Sequence, residues 1–191
     1  MITLRLSIFA ALACSGLAGN VYPADPIPQN GVRGLVNFAK VSNELYRGAQ
    51  PDSQGFAELK RIGVKTIINL RVRYSDKKMI KGLGFQYVHI HVNPWHMEDE
   101  DVVSFLKVAS NPKNQPVFVH CAQGADRTGT MVAMYRIMIQ NWKAEDALRE
   151  LPAFGFHKIW KNLKHYIEHL NIDKMNEKLS NAREPEVILI E

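Results

Sequence analysis

Two residues near the middle of this 191-residue sequence have the types and the spacing for covalent chemistry. They are Cys121 and Arg127, in the stretch "HCAQGADRTGT" from His120 to Thr130. The apolar run "PVFVH" (116–120) before the cysteine reads as a buried strand, and "TGTMVAMYRIMIQ" (128–140) after the arginine reads as an apolar helix. Strand and helix enclose a short loop whose backbone N–H groups can turn inward beside a helix N-terminus. That arrangement is an anion cradle. Gly124 permits backbone angles that other residues resist, and Gly129 permits close packing where the helix starts.

The cradle acts on the thiol as well as on a ligand. Inward amides, the helix dipole and the Arg127 guanidinium all favour thiolate over thiol. Arg127 presents a planar fork for two oxygens of a tetrahedral anion, which a lysine does not. Ala122, Gln123, Gly124 and Ala125 supply the backbone around that anion, and Thr128 is placed to donate its hydroxyl to the sulfur when sulfur leaves phosphorus. The implied chemistry is in-line attack of the Cys121 sulfur on a phosphate ester, followed by hydrolysis of a cysteinyl-phosphate, with no metal and no cofactor.

These residues carry a resemblance. "HCAQGADRTG" resembles the signature His-Cys-x5-Arg-Ser/Thr of the cysteine-dependent protein tyrosine and dual-specificity phosphatases. "ELYRGAQPDSQGFAELKRIGVKTIINLR" (44–71) is similar to the opening strand–helix–strand of their compact dual-specificity group. The resemblance spans roughly residues 36–170. It implies a dual-specificity-phosphatase-like fold, with phosphotyrosine as the default substrate and a phospholipid or small phosphoester as the alternative. A loop of rhodanese type, which transfers sulfur, is typically shorter. A binding module that kept the cradle and lost turnover is the non-enzymatic alternative.

One part of the pattern is broken. Expelling an alkoxide needs a proton donor, and the family takes an aspartate from a mobile loop some tens of residues before the cysteine. The matching stretch here is "HVNPWHMEDEDVV" (91–103), where Asn93 or Pro94 stands about where that aspartate belongs. Asp126, directly before Arg127, is the first candidate; some phosphoinositide phosphatases and secreted bacterial phosphatases carry an aspartate there. Asp99 is the second, followed by Asp101 and Glu98, whose simpler role is to favour a helix start.

Other residues invite simpler readings. His120 orients the loop by hydrogen bonding. His89, His91 and His96 lack a carboxylate at a spacing that would complete a metal site. Arg71 and Arg73 follow a strand at the same sheet edge as Cys121, where surface ion pairing competes with substrate contact. Trp95 reads as a core or cover residue before a stacking platform, and "FGFH" (154–157) as packing between helices.

The elements that must position the loop alternate. A hairpin flanks Ser42–Glu44, and a helix capped by Asp52 or Ser53 ends at Gly63. Strands follow at Val64–Leu70, Phe85–Val92 and Pro116–His120. Helices are expected at Val102–Val108, Thr128–Gln140, Ala144–Leu151 and Lys158–Leu170, with weaker ones at Met79–Lys81 and Asp173–Ser180. This order argues an α/β fold: a central, mostly parallel sheet flanked by helices. The apolar tail Val187–Ile190 has no place in that scheme.

Composition sets the frame. With 46% hydrophobic and 23% charged residues, the chain suits one globular domain with a real core. A net charge of +5 spread along the sequence favours anionic ligands weakly, and no basic block points to nucleic acid. Residues 1–18 have the three-part layout of a secretory signal, with an apolar core too short to span a bilayer. The chain then divides into signal (1–18), extended lead-in (19–35), catalytic domain (36–172) and C-terminal extension (173–191). Export to the periplasm or beyond follows, with lipidation at Cys14 as a variant. Cleavage after Ala18 leaves Cys121 as the single thiol, so it forms no internal disulfide.

Overall fold

The computed structural model describes residues 27–29 and 31–191. The signal segment, Cys14 and most of the lead-in lie outside the described residues.

A hairpin comes first: β1 (Ala39–Lys40) and β2 (Leu45–Gly48). Then α1 (Ser53–Arg61), β3 (Thr66–Asn69), α2 (Lys77–Ile80) and β4 (Phe85–His89) follow. The second half holds α3 (Asp99–Ser110), β5 (Val117–His120), α4 (Asp126–Met138), α5 (Ala144–Glu150), α6 (Lys161–Glu168), α7 (Ile172–Asn181) and β6 (Ile188–Ile190). A 3-10 turn, Leu151–Phe154, follows α5 directly.

The strands form one sheet in the order β1-β2-β5-β3-β4-β6. The inner four run parallel; β1 and β6 are antiparallel edges. Every residue of β3 and β5 is buried, as strands covered on both faces require. Phe56, Leu59, Ile67, Phe85 and Phe118 pack one side chain layer beneath α1 and α2. The larger core lies on the other face, where Val102, Phe105, Met131, Met134, Leu163 and Met175 bring in α3, α4, α6 and α7. β5 sits between β2 and β3, so the chain leaves it for α4 at the carboxyl ends of the parallel strands, where such sheets bind ligands.

Local chemistry explains the boundaries. Asp52 caps α1 by accepting from the Gly55 N–H at 2.8 Å. Gly63, at φ +88°, turns the chain out of that helix. The Glu98 N–H donates to Asp101, so α3 begins at Asp99, inside the acidic run.

Two features lie beyond the expected outline. The tail residues Ile188–Ile190 pair with Tyr87, Gln86 and Phe85 as an edge strand. The segment 173–191 therefore packs against the core and completes the sheet. Inside α4, Arg136 is buried, and its Nε donates to Glu150 Oε2 at 3.0 Å. The other Glu150 oxygen meets Arg47 Nη1 at 3.2 Å. Arg47 is fully buried; desolvation lowers its pKa to about 10, against the opposing pull of Glu150. Among the described residues, no helix is long and apolar enough to cross a membrane.

Candidate active site

Cys121 follows β5 immediately and is 3% exposed. It lines a cavity of about 290 Å³ with Pro94, Ala122, Gln123, Asp126, Arg127, His157, Ile159 and Trp160. Larger clefts between α3 and α7 and beside β4 contain no nucleophile of this kind.

The scaffold holds three consecutive loop carbonyls from outside. Ala122 O accepts from the Gln50 N–H at 3.2 Å, Gln123 O from Asn37 Nδ2 at 3.1 Å, and Gly124 O from Arg47 Nη2 at 2.9 Å. In a trans peptide the C=O and the next N–H point in opposite directions. Tying those carbonyls outward therefore turns the N–H groups of Gln123, Gly124 and Ala125 the other way. That is the orientation an amide nest around an anion requires.

Each fastening has a structural reason. Gly124 has φ +69°, and a Cβ there would lie 2.4 Å from the Gly48 carbonyl carbon, so neither the angle nor the space admits a side chain. Asn37 has φ +54°, a region that asparagine tolerates better than most residues; its amide reaches both Gln123 O and Phe154 O. Arg127 Nη1 donates to Leu70 O at 3.1 Å, which aims the guanidinium from the end of β3.

Behind the cysteine, His120 is fully buried. Its Nε2 lies 2.8 Å from Asp76 Oδ2, and its Nδ1 lies 3.2 Å from Cys121 O. Asp76 Oδ1 accepts from Gln50 Nε2 at 2.8 Å, and Gln50 Oε1 accepts from Arg71 Nη1 at 2.6 Å. The orienting role expected of His120 is thus anchored in a network of four side chains. Arg71 serves that network and stacks over the Tyr74 ring.

A profile of the tyrosine phosphatase family matches residues 34–188. The chain belongs to that family. It is 28% identical over 188 residues to the dual specificity protein phosphatase TpbA of Pseudomonas aeruginosa strain UCBPP-PA14, covering 94% of this chain and 86% of TpbA. A probable tyrosine-protein phosphatase of Dictyostelium discoideum is 30% identical over 146 residues, covering 72% of this chain and 87% of that protein. Among solved structures, a cysteine-to-serine variant of TpbA in complex with pTyr superposes with a TM-score of 0.69 at 27% identity, covering 77% of this chain and 92% of that one. The catalytic core of the PP-IP phosphatase SIW14 from Saccharomyces cerevisiae, in complex with citrate, gives 0.68 at 26% identity, covering 76% and 92%. The chain is a phosphoester-hydrolysing enzyme with the fold of that group.

The structure sorts this phosphatase's acid candidates. Asp126 is buried in the cavity wall beside Cys121 and Arg127. Its Oδ1 accepts from the His157 N–H at 2.8 Å, and its Oδ2 lies 3.0 Å from His157 Nδ1. Asp99 is the second acid candidate from the sequence. It lies outside that cavity and accepts from Tyr166 OH at 2.8 Å and Lys178 Nζ at 2.9 Å. Burial works against ionisation of Asp99, but the bonds from Lys178 and Tyr166 outweigh it and hold its pKa below the ordinary value. Asp101 is spent on the Glu98 N–H, and Glu98 pairs with His96. Pro94 does reach the cavity, so the upstream loop is in position but brings no carboxylate.

Three further expectations change. Trp95 is 66% exposed and meets Trp160 edge-on at 4.5 Å between centroids, so it stands at the rim and not in the core. His157 of "FGFH" faces the site, while Phe154 packs beneath the Arg47 guanidinium at 3.6 Å. Thr128 is buried, and its hydroxyl has no hydrogen-bond partner among the described residues, so the expected bond to the sulfur is not made here. For a metal ion, the one grouping of ligand atoms among the described residues is His165, Glu168 and His169, exposed on α6 and just beyond it.

Sequence reasoning passed over Asp76, Gln50, Asn37 and Arg47, and read His157 only as packing. All five are polar residues in loops or strand ends without a motif, and their partners lie far away in the sequence. The one available signal was Arg47 and Gln50 within "ELYRGAQP", part of the stretch that carries the family resemblance.

Proposed function

We propose that this enzyme hydrolyses phosphotyrosine, and related phosphomonoesters, through a cysteinyl-phosphate on Cys121. The observation that carries the reading is the set of three loop carbonyls tied outward by Gln50, Asn37 and Arg47, with Arg127 closing the loop. Inward amides and a guanidinium stabilise the equatorial oxygens as charge builds in the transition state. The sulfur attacks phosphorus, the ester oxygen leaves with a proton from Asp126, and water then displaces the sulfur while Asp126 takes its proton back. The unengaged Thr128 hydroxyl is available to the departing thiolate.

The rim favours an aryl ester. Pro94, Ile159 and Trp160 line the cavity, Trp95 extends the wall, and Ile159 is 66% exposed. Between Cys121 and Arg127 the loop has no lysine or arginine and one aspartate, which fits a single phosphate better than a polyphosphorylated ring. The pTyr complex of the TpbA variant supports the same substrate class.

The test pairs binding with turnover. Wild-type protein should release phosphate from a phosphotyrosine peptide. Cys121→Ser should bind the peptide and release none, and inorganic phosphate should protect Cys121 from iodoacetate. Wild-type protein that binds and never turns over would leave a binding module. Alkylation that phosphate does not slow would remove the cradle itself. Export rests on residues 1–18, and N-terminal sequencing of the mature protein should begin at Gly19; a blocked, lipid-bearing Cys14 would replace it with the lipoprotein variant.

A further inference from the structure

We propose that the exposed face of α6 carries a binding site for a divalent transition-metal ion of the zinc type, held by His165, Glu168 and His169. The site takes no part in the hydrolysis at Cys121. A helix rises roughly 1.5 Å per residue, so the three stand about 7–14 Å along α6 from Trp160 at the catalytic cavity.

Spacing brings the three together. In "HYIEH" (165–169) the histidines are four apart and share one helix face, and the glutamate three on from His165 joins them. Each offers one ligand atom, and these atoms lie within 4.8 Å of one another. The two imidazole rings stand 3.8 Å apart between centroids. A tetrahedral zinc ion with bonds near 2.0–2.1 Å wants roughly 3.4 Å between ligand atoms. All three side chains are exposed, so small rotations about their own bonds close that difference.

An observation independent of the spacing prepares His169. Its Nδ1 lies 3.0 Å from the His165 backbone carbonyl. A carbonyl only accepts, so Nδ1 carries the proton and the neutral ring keeps its lone pair on Nε2. Metal-binding histidines are held in this way, with the other ring N–H given to a carbonyl or carboxylate. The place on the helix adds to this, because the trio occupies the last turn of α6 and its C-cap, where the helix dipole favours a cation.

The neighbouring charges permit it. Lys164 meets Glu168 at 3.5 Å across an exposed surface, a pair worth little that yields its carboxylate to a metal. The histidines also line a recess of about 210 Å³ with Asp99 and Lys174, and there Lys174 is paired with Asp99 at 3.6 Å. Two imidazoles and one carboxylate suit zinc, copper or nickel, whereas magnesium and calcium take oxygen ligands.

Zinc titration of the full, untagged chain by calorimetry, after stripping with EDTA, tests the site. Cys121→Ser serves as the parent, because a thiolate binds zinc on its own account. The parent should take up zinc, and its melting temperature should rise with zinc concentration. In that background His165→Ala and His169→Ala should each weaken binding more than about 10-fold and abolish the thermal shift. Glu168→Gln should weaken it a few-fold, and His91→Ala, an exposed histidine elsewhere, should leave it unchanged. Going from about pH 7.5 to about 5.5 should weaken binding as protons compete for the imidazoles, while excess magnesium should not displace the zinc. Unchanged affinity in any of the three α6 variants, a loss in His91→Ala, or displacement by magnesium overturns the site. A parent that takes up no zinc at millimolar concentration overturns it as well.

Discussion

At the scale of single residues, the chemistry depends on orientation more than on composition. Arg127 is aimed by one bond to Leu70 O, and its fork is the feature a point charge does not reproduce. Arg127→Lys should lower kcat/KM by about 10²-fold or more with little change in melting temperature, because one arm of the clamp on the phosphoryl oxygens is lost. Steady-state kinetics with a matched thermal melt checks this; a loss below threefold would mean the amides alone bind the transition state. Gly124→Ala acts differently. Its Cβ has no room against Gly48 and Ala49, and φ +69° is strained for alanine, so the loop shifts. Activity should fall, protection of Cys121 by phosphate should weaken, and stability should drop by about 1–3 kcal/mol. The grouping of Cys121, Arg127 and Asp126 in one cavity was legible in the sequence because their spacing is local. His157 was not, since thirty-one positions separate it from Asp126 and no motif surrounds it.

At the scale of elements, the site is held by a buried ion network that reaches into the loop. Glu150, at the end of α5, accepts from Arg136 on α4 and from Arg47 on β2, and Arg47 passes the connection to Gly124 O. One carboxylate facing two buried guanidiniums is the least replaceable member. Glu150→Gln leaves two buried cations without a counter-charge and should cost about 3–5 kcal/mol, read as a lower denaturant midpoint. Because Arg47 holds the loop, the variant should also lose activity at temperatures where it is still folded; unchanged kinetics would show that Arg47 is structural only. None of these charges announced itself. Arg136 and Glu150 lie on helices where a charge is usually a solvated face, and only the packing of α4 on all sides puts them inside. The helices and the parallel strands themselves were readable, from apolar periodicity and from caps such as Asp52 and Gly63. The last strand was not, because three apolar residues near a chain end do not say which sheet edge is open.

At the scale of the whole molecule, the C-terminal segment is tied to the body at two places. On one side α7 docks on α3, where Asp99 accepts from Lys178 and, through Tyr166, binds α6 as well. Those partners lower the Asp99 pKa despite its burial, so the stability it contributes is present above its unfolded pKa and is lost as pH falls through the folded one. Asp99→Asn should therefore melt earlier than wild type at pH 7, by about 1 kcal/mol, and the difference should shrink below pH 4 as the wild-type carboxylate is protonated. On the other side, β6 covers the outer edge of β4 through pairs at Phe85, Gln86 and Tyr87. Ending the chain after Asn181 removes that cover and exposes the hydrogen-bonding groups of β4, an open template for another chain. Tyr87 carries the consequence to the site, since its hydroxyl accepts from the Asp76 N–H at 3.1 Å and from Asn69 Nδ2 at 3.2 Å, and Asp76 holds His120. The truncated protein should aggregate in a concentration-dependent way and melt earlier. In its soluble fraction, phosphate should protect Cys121 from iodoacetate less well than in the full chain. Size-exclusion chromatography with the alkylation assay measures both; a monomeric truncation with full protection would confine β6 to the edge and sever it from the loop.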